Sequence, residues 1–329
     1  MMKTLDGAEL CFPQLNSSCK KNMHSHSVSI LTYTMLFSIS MLTVTLNLLV
    51  IISVSHFRQL HTPTNFLLLS LAVSDCFVGF LMVFQIILID GCWFLGDHMC
   101  IVYSVLAYIV TSTSVGTMVL ISVDRYVAIC DPLHYTTKVT QKRVKFCICL
   151  CWMCSAFCHI LLLKDNLKQP GRYNSCTGEC VIVVDYVSGL TDLFVSFIGP
   201  VTVIVVLYMR VFVVAVSQAR AMRSHLVAVA FQHSETVTAR KSEMKAATTL
   251  GVVVVVFLMC VCTYFWVSLT DQDTTLNAST SAFIICLCYF NSCLNPLIYA
   301  FFYSWFRKSI KLIITLKILQ ADSRDINMQ

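Results

Sequence analysis

Seven stretches of this chain are apolar over close to the ~20 residues that a helix needs to cross a bilayer. They fall at 28–55, 64–89, 98–130, 144–163, 186–213, 246–270 and 280–303. A backbone in hydrocarbon must satisfy its own hydrogen bonds, so spans of this length are expected to be helices. The composition agrees: 57% of residues are hydrophobic and only 12% charged, against about a quarter charged in soluble domains. An eighth, shorter element, 304–318, sets Phe306, Ile310, Leu312, Ile313, Leu316 and Ile318 among Arg307, Lys308, Lys311 and Lys317. That amphipathic pattern suits a helix lying on the membrane surface. The expected fold is an all-α membrane protein: a seven-transmembrane helix bundle plus a short amphipathic surface helix. Residues 1–27 form a tail, 28–303 the bundle, and 304–329 the surface helix and a short end segment.

Basic residues set the orientation. With the first tail outside, 17 of the 23 Lys and Arg residues fall on the inner side and 6 on the outer, as the positive-inside rule requires. The same rule explains the net charge of +6, so no nucleic-acid partner is assigned; the lipid bilayer is the partner implied. Two glycosylation sequons, at Asn16 and Asn277, both fall outside. The tail carries no signal-peptide pattern, so the first span is expected to act as the targeting signal. The expectation is a multi-pass plasma-membrane protein with its N-terminus extracellular.

Polar groups inside the spans mark function, because they are costly in hydrocarbon. Asn47 lies in the first run, Asp75 in the second, and Asn291, Asn295 and Tyr299 in the seventh, where Pro296 bends the axis. Asp124-Arg125-Tyr126 closes the third run. The Arg needs a partner; Asp124 is adjacent, and Glu243 opens the sixth run across the bundle. Six cysteines, Cys11, Cys19, Cys92, Cys100, Cys176 and Cys180, fall on the outer, oxidising side, where pairing is expected. Six allow fifteen connectivities.

The pattern Asn291-Ser292-x-x-Asn295-Pro296-x-x-Tyr299-x-x-x-Tyr303-x-Trp305-Phe306 resembles the helix-seven fingerprint of the trace amine-associated receptors, within the rhodopsin-like G-protein-coupled receptors. The resemblance implies a receptor for small-molecule amines, olfactory trace amines or diamines, that activates a heterotrimeric G protein of the Gs/Golf type. It implies that Arg125 pairs with Glu243 at rest, and that Asp124, Tyr126, Tyr208, Phe257, Asn295, Pro296 and Tyr299 serve activation. It implies a polar network of Asn47, Asp75, Asn291 and Asn295 with a sodium site at Asp75; a structural, hydrogen-bonded Asp is the alternative. No other cofactor is implied. The family also joins Cys100 to Cys180 and ties the tail to the second outer loop through Cys176. Cys11–Cys176 is the favoured tail pair, leaving Cys19–Cys92.

Most aminergic receptors hold the ligand's ammonium with an Asp on helix three. Eighteen residues before Arg125 is five turns, about 27 Å higher on the same face, and that position is Ala107. Helix five instead carries Asp192, eight residues or about 12 Å outward of Pro200. No Lys or Arg lies in the outer half of any run, so the missing positive partner is expected to be the ligand. The swap resembles a branch of trace amine receptors, best known in fishes, with the Asp on helix five; the alternative is an Asp192 that is protonated, or capped by Thr191 or a neighbouring hydroxyl. Tyr108, Tyr264, Phe265 and Tyr289 match family pocket positions and offer aromatic faces to a cation, with Thr111 and Ser112 as hydrogen-bond groups. One departure stands out. Val261 and Thr263 replace the Trp and Pro of the family's helix-six motif, although Phe257 and Cys260 are kept.

No nucleophile–base set, carboxylate pair or metal-ligand cluster is visible, so no enzymatic chemistry is expected. A solute transporter is the competing class, but no internal repeat with paired broken helices appears. A retinal receptor needs a Lys on the seventh run, and residues 274–303 have none. Within the receptor class, a non-amine ligand is the alternative.

Overall fold

The computed structural model describes residues 9–21, 26–89, 91–228, 251–256, 258–259, 278–320 and 323–328. The helices are numbered after the seven apolar runs. Helix one is His26–His56, helix two Pro63–Ile89, helix three Gly96–Cys130 and helix four Gln141–Leu162. Helix five comprises Tyr186–Asp192, a π-helical segment Leu193–Ile198, and Gly199–Ala228. Residues 251–256 and 258–259 of the sixth run are helical. Helix seven is Ala278–Phe302, and the surface helix is Ser304–Ile314. Five helices among the described residues are long and apolar enough to cross a membrane.

The packing is inverted relative to a soluble protein. Phe37, Phe80, Met153, Phe157 and Phe212 point outward and are exposed, because hydrocarbon is their solvent. Ser40, Thr43, Asn47, Ser53, Ser74, Thr117 and Ser122 are fully buried. Small hydroxyls let helices approach and bond across the seams: Ser40 Oγ donates to the Gly79 carbonyl at 2.7 Å, Ser114 to Ser74 at 2.9 Å, and Trp152 Nε1 to Ser70 Oγ at 3.2 Å. At Gly79 an added Cβ would lie 2.7 Å from Val44 Cγ2 and 3.2 Å from the Val44 nitrogen, so the seam between helices one and two closes only on glycine.

Helix seven stops at Phe302, and the Arg307 guanidinium donates to the Ala300 and Phe301 carbonyls at 2.9 and 3.0 Å. A cation thereby satisfies carbonyls that the helix end leaves unpaired. The surface helix buries Phe306. Beyond it, Ile318, Ile326 and Met328 pack with Phe57 and Leu60, which follow helix one.

At the opposite end the tail lies over the second connecting loop. Leu10 bridges Lys20 and Ser18 bridges Thr177. The structure joins Cys100 to Cys180, and it reverses the favoured tail pairs: Cys11 bonds Cys92, and Cys19 bonds Cys176. The physical reason is backbone register. Cys19 N donates to Thr177 O at 3.0 Å and Thr177 N to Ser17 O at 2.7 Å, which sets Cys19 beside Cys176. The tail then turns, with Cys11 N on Cys19 O at 2.9 Å, and Cys11 falls over Gly91 and Cys92. Gly178 has φ +99, and a Cβ there would meet the Phe12 ring at 2.9 Å. Only glycine lets tail and loop meet this closely.

Candidate functional site

Beneath this cap the facing sides of helices three, four and five meet at Asp192. The carboxylate is the last residue before the π-helical segment. An extra residue per turn is a common device at functional sites. Here it accompanies Ser196 Oγ donating to Asp192 Oδ1 at 2.7 Å. Thr191 does not cap the carboxylate; its hydroxyl donates to the Val187 carbonyl.

The expectation of a lone carboxylate is corrected. His159 of helix four places Nε2 3.2 Å from Asp192 Oδ1. Its ring is almost wholly buried, 2% exposed, while Asp192 is 27% exposed. Nδ1 of the same ring lies 2.8 Å from the Ser155 carbonyl. A search restricted to Lys and Arg misses a histidine. The available signal was a single titratable ring, seven residues past Trp152, in the part of helix four beyond Lys145 that carries no other charged residue.

Tyr108 of helix three lies against His159, ring centroids 5.6 Å apart, so it belongs to the same cluster. Thr111 is exposed on the same helix. Ser112 is engaged elsewhere: its hydroxyl shares a 3.2 Å hydrogen bond with Ser155, on the seam between helices three and four. Ala107 is half-buried against the cluster of Leu81, Trp93, Cys100, Tyr103 and Val110, so helix three presents no anion there. Tyr289 lies on helix seven, but its side chain is outside the described residues, as are Tyr264, Phe265, Phe257, Val261, Thr263 and Asn277. Asn16 sits exposed in a turn of the tail.

Halfway through the bundle, Asn295 Nδ2 donates to Asp75 Oδ2 at 2.8 Å. Asn47 Nδ2 donates to the Thr43 and Ser292 carbonyls at 2.9 and 3.0 Å. Among the described residues the buried side-chain oxygens of Asn47, Asn291 and Asn295 have no partner. A buried carboxylate and unpartnered amide oxygens on the neighbouring helices are all oxygen donors, the type that suits a hard cation. Pro296 lies inside helix seven, and Tyr299, 1% exposed, packs its ring 6.0 Å from that of Tyr303.

At the far end Arg125 is 3% exposed. Its Nε donates to Asp124 Oδ2 at 3.0 Å, and Nη2 reaches both that oxygen and Thr64 Oγ1, the latter at 2.7 Å. Thr64 in turn donates to Asp124 Oδ2 at 3.0 Å, and Tyr135 to Asp124 Oδ1 at 2.8 Å. Burial, and then the Asp124 charge, push the Tyr135 phenol up to about 12, so it stays a donor at physiological pH. Tyr126 packs with Ile129 and Val211. Tyr208 is largely buried, its hydroxyl without a partner among the described residues, and Gly251 of the sixth run approaches its ring. Glu243, the expected partner of Arg125, is outside the described residues; Thr64 and Tyr135 are members of this network that sequence reasoning missed. Thr64→Val removes two hydrogen bonds from the clasp, to Arg125 and to Asp124; because those two groups still hold each other, a net loss of about 1 kcal/mol is expected. Ligand-free signalling is expected to rise up to about fivefold at equal surface expression, read as basal second-messenger level; an unchanged level would show that Thr64 does not restrain Arg125.

Comparison with known proteins decides what this arrangement belongs to. The description "7 transmembrane receptor (rhodopsin family)" matches residues 46–299. Trace amine-associated receptor 13c of Danio rerio is 37% identical, over 98% of this chain and 97% of that receptor. Trace amine-associated receptor 8a of Rattus norvegicus is 38% identical, over 97% and 96%. Trace amine-associated receptor 4 of Mus musculus is 36% identical, over 96% and 94%. The chain belongs to the trace amine-associated receptors. It is therefore a class A seven-helix receptor rather than an enzyme, and a multi-pass membrane protein. Asp192 and His159 lie in the half of a trace amine-associated receptor bundle nearer the disulfide-bonded tail, and Asp124–Arg125 at the opposite end.

Proposed function

We propose that this trace amine-associated receptor is a cell-surface sensor of amines, with its tail outside the cell, Asp192 as the counter-ion of the ligand's ammonium, and a heterotrimeric G protein of the Gs/Golf type at the Arg125 face. The observation that carries the reading is Asp192 itself. It is a half-buried carboxylate on helix five, in contact with the His159 ring that packs against Tyr108, in a bundle whose helix three offers Ala107 where an acid would otherwise stand. The names of the relatives support the amine, and the basic inner loops support the orientation. The aromatic face stabilises a cation through its quadrupole. Tyr264, Phe265 and Tyr289 would complete the pocket by family resemblance. Asp75, with Asn47, Asn291 and Asn295, would hold a sodium ion, whose charge would neutralise the buried carboxylate. Glycosylation at Asn16 and Asn277 and an olfactory setting follow from the resemblance.

A panel of straight-chain monoamines and diamines, applied to expressing cells with cAMP as readout, tests the proposal. A saturable cAMP rise that is absent from untransfected cells is expected. Silence to every amine at confirmed surface expression would favour a non-amine ligand. That second reading has one observation behind it, since the His159 ring already contacts Asp192 at 3.2 Å.

A further inference from the structure

The geometry around His159 carries more than a salt bridge. A backbone carbonyl can only accept, so Nδ1, 2.8 Å from Ser155 O, holds a proton. Nε2 faces Asp192 Oδ1 at 3.2 Å, and that oxygen already accepts from Ser196. A neutral imidazole has one N–H and one lone pair. With the N–H committed to Ser155, a neutral ring would turn its lone pair onto a carboxylate oxygen, acceptor against acceptor. The contact is favourable only if the pair holds one further proton, as imidazolium against carboxylate or as carboxylic acid against imidazole. Either way the pair is neutral. Among the described residues the titratable groups touching the ring are Asp192 from helix five and Tyr108 from helix three; from helix four itself the ring meets the Ser155 carbonyl.

We infer that His159 is the resident cation of the amine site, and that binding of a primary amine expels the shared proton of the Asp192–His159 pair and takes its place. This rests on the reading of Asp192 as the ammonium counter-ion. The exchange balances: an ammonium enters, one proton leaves to solvent, and the net charge of the site does not change. Once neutral, His159 presents its Nε2 lone pair beside the carboxylate. Two acceptors then face the ligand nitrogen. A primary ammonium has three N–H donors and can serve both. A quaternary ammonium has none and leaves both unsatisfied, which is heavily penalised in a buried site. His159 thus sets both the pH response and the preference for N–H-bearing amines.

The sign follows from competition between proton and ligand. At low pH the pair is protonated and the amine must displace the proton, so potency is weak. Potency rises with pH, up to tenfold per unit for one proton exchanged per amine, and levels off once the proton is gone. Histidine changes charge between about pH 5 and 8, while alkylamines stay cationic to roughly pH 10, so the ligand does not titrate in this window.

Pentylamine and pentyltrimethylammonium are suitable probes, tested on intact cells with only the external pH varied from 5.5 to 8. The wild type should show pentylamine potency climbing with pH and little response to the trimethylated analogue. His159→Gln keeps a neutral N–H near Asp192 but cannot titrate, and should flatten the slope, with potency at pH 6 raised towards the pH 8 value. If His159→Gln does not reach the surface, His159→Asn, which preserves a donor for Ser155, replaces it. A wild-type profile without slope, a slope that survives in the variant, or equal potency for the two probes would overturn the inference. The pair is also read without any amine, by melting of purified receptor in nanodiscs. His159→Gln and Asp192→Asn should be strongly non-additive at pH 6 and less so at pH 8; additivity at both would refute the pair. Wild-type amine potency in Asp192→Asn, alongside a coupled melting cycle, would sink the counter-ion reading while leaving the proton-sharing pair intact.

Discussion

Asp192→Ala is expected to lower amine potency by about ten- to a hundredfold or more. A hydrogen bond to a charged group contributes roughly 1.5–3 kcal/mol net, and each 1.4 kcal/mol is a factor of ten. Asp192→Asn should respond little, because the amide keeps shape but not charge, and Asp192→Glu should retain part of the response. His159 adds a second consequence. With Asp192 removed, the buried ring loses its anionic partner, so surface expression must be measured beside potency. Asp192→Asn is the cleaner variant, since its amide oxygen can still accept from Ser196. Ala107→Asp is expected to add a second cation site on helix three and to shift preference towards diamines. Wild-type potency in Asp192→Asn would place the amine elsewhere, for example at Asp185 or Asp271 nearer the rim.

Cys180→Ala, or Cys100→Ala, is expected to abolish surface expression or ligand response. The bond closes a segment of 80 residues, and loss of a native disulfide in small secreted domains costs roughly 2–5 kcal/mol. The local consequence is larger than the ledger suggests. Cys180 lies two residues from Gly178, whose carbonyl accepts from Trp93 N at 2.7 Å, and four from Cys176, which carries the tail. Freeing Cys180 therefore loosens loop, tail and the Trp93–Tyr103 cluster together. Cys19→Ala removes one of the two bonds that hold the tail, leaving Cys11–Cys92 in place, and is expected to be milder. A wild-type dose response from Cys180→Ala, measured on intact cells, would refute this role for the bond.

Much of this protein is legible without coordinates because hydrocarbon is an unforgiving solvent. A span must be long, apolar and helical, so seven runs and an amphipathic eighth were countable. Any polar group within them, such as Asp75, Asn295, Arg125 or Asp192, announces itself against the background. The Asn-Pro-x-x-Tyr stretch carried the family, and the absence of an acid at Ala107 pointed to helix five. Tertiary structure alone decided which groups meet. Two of the three disulfides depended on the register of a short tail against a loop, set by backbone bonds at Ser17–Cys19 and Thr177 that no cysteine spacing encodes. Thr64 and Tyr135 joined Arg125 because helix two and an inner turn converge on helix three. His159 was visible as a letter from the start. That its Nε2 lies on Asp192 and its Nδ1 on Ser155 depends on how helices four and five pack, and that packing turns a lone carboxylate into one half of a pair.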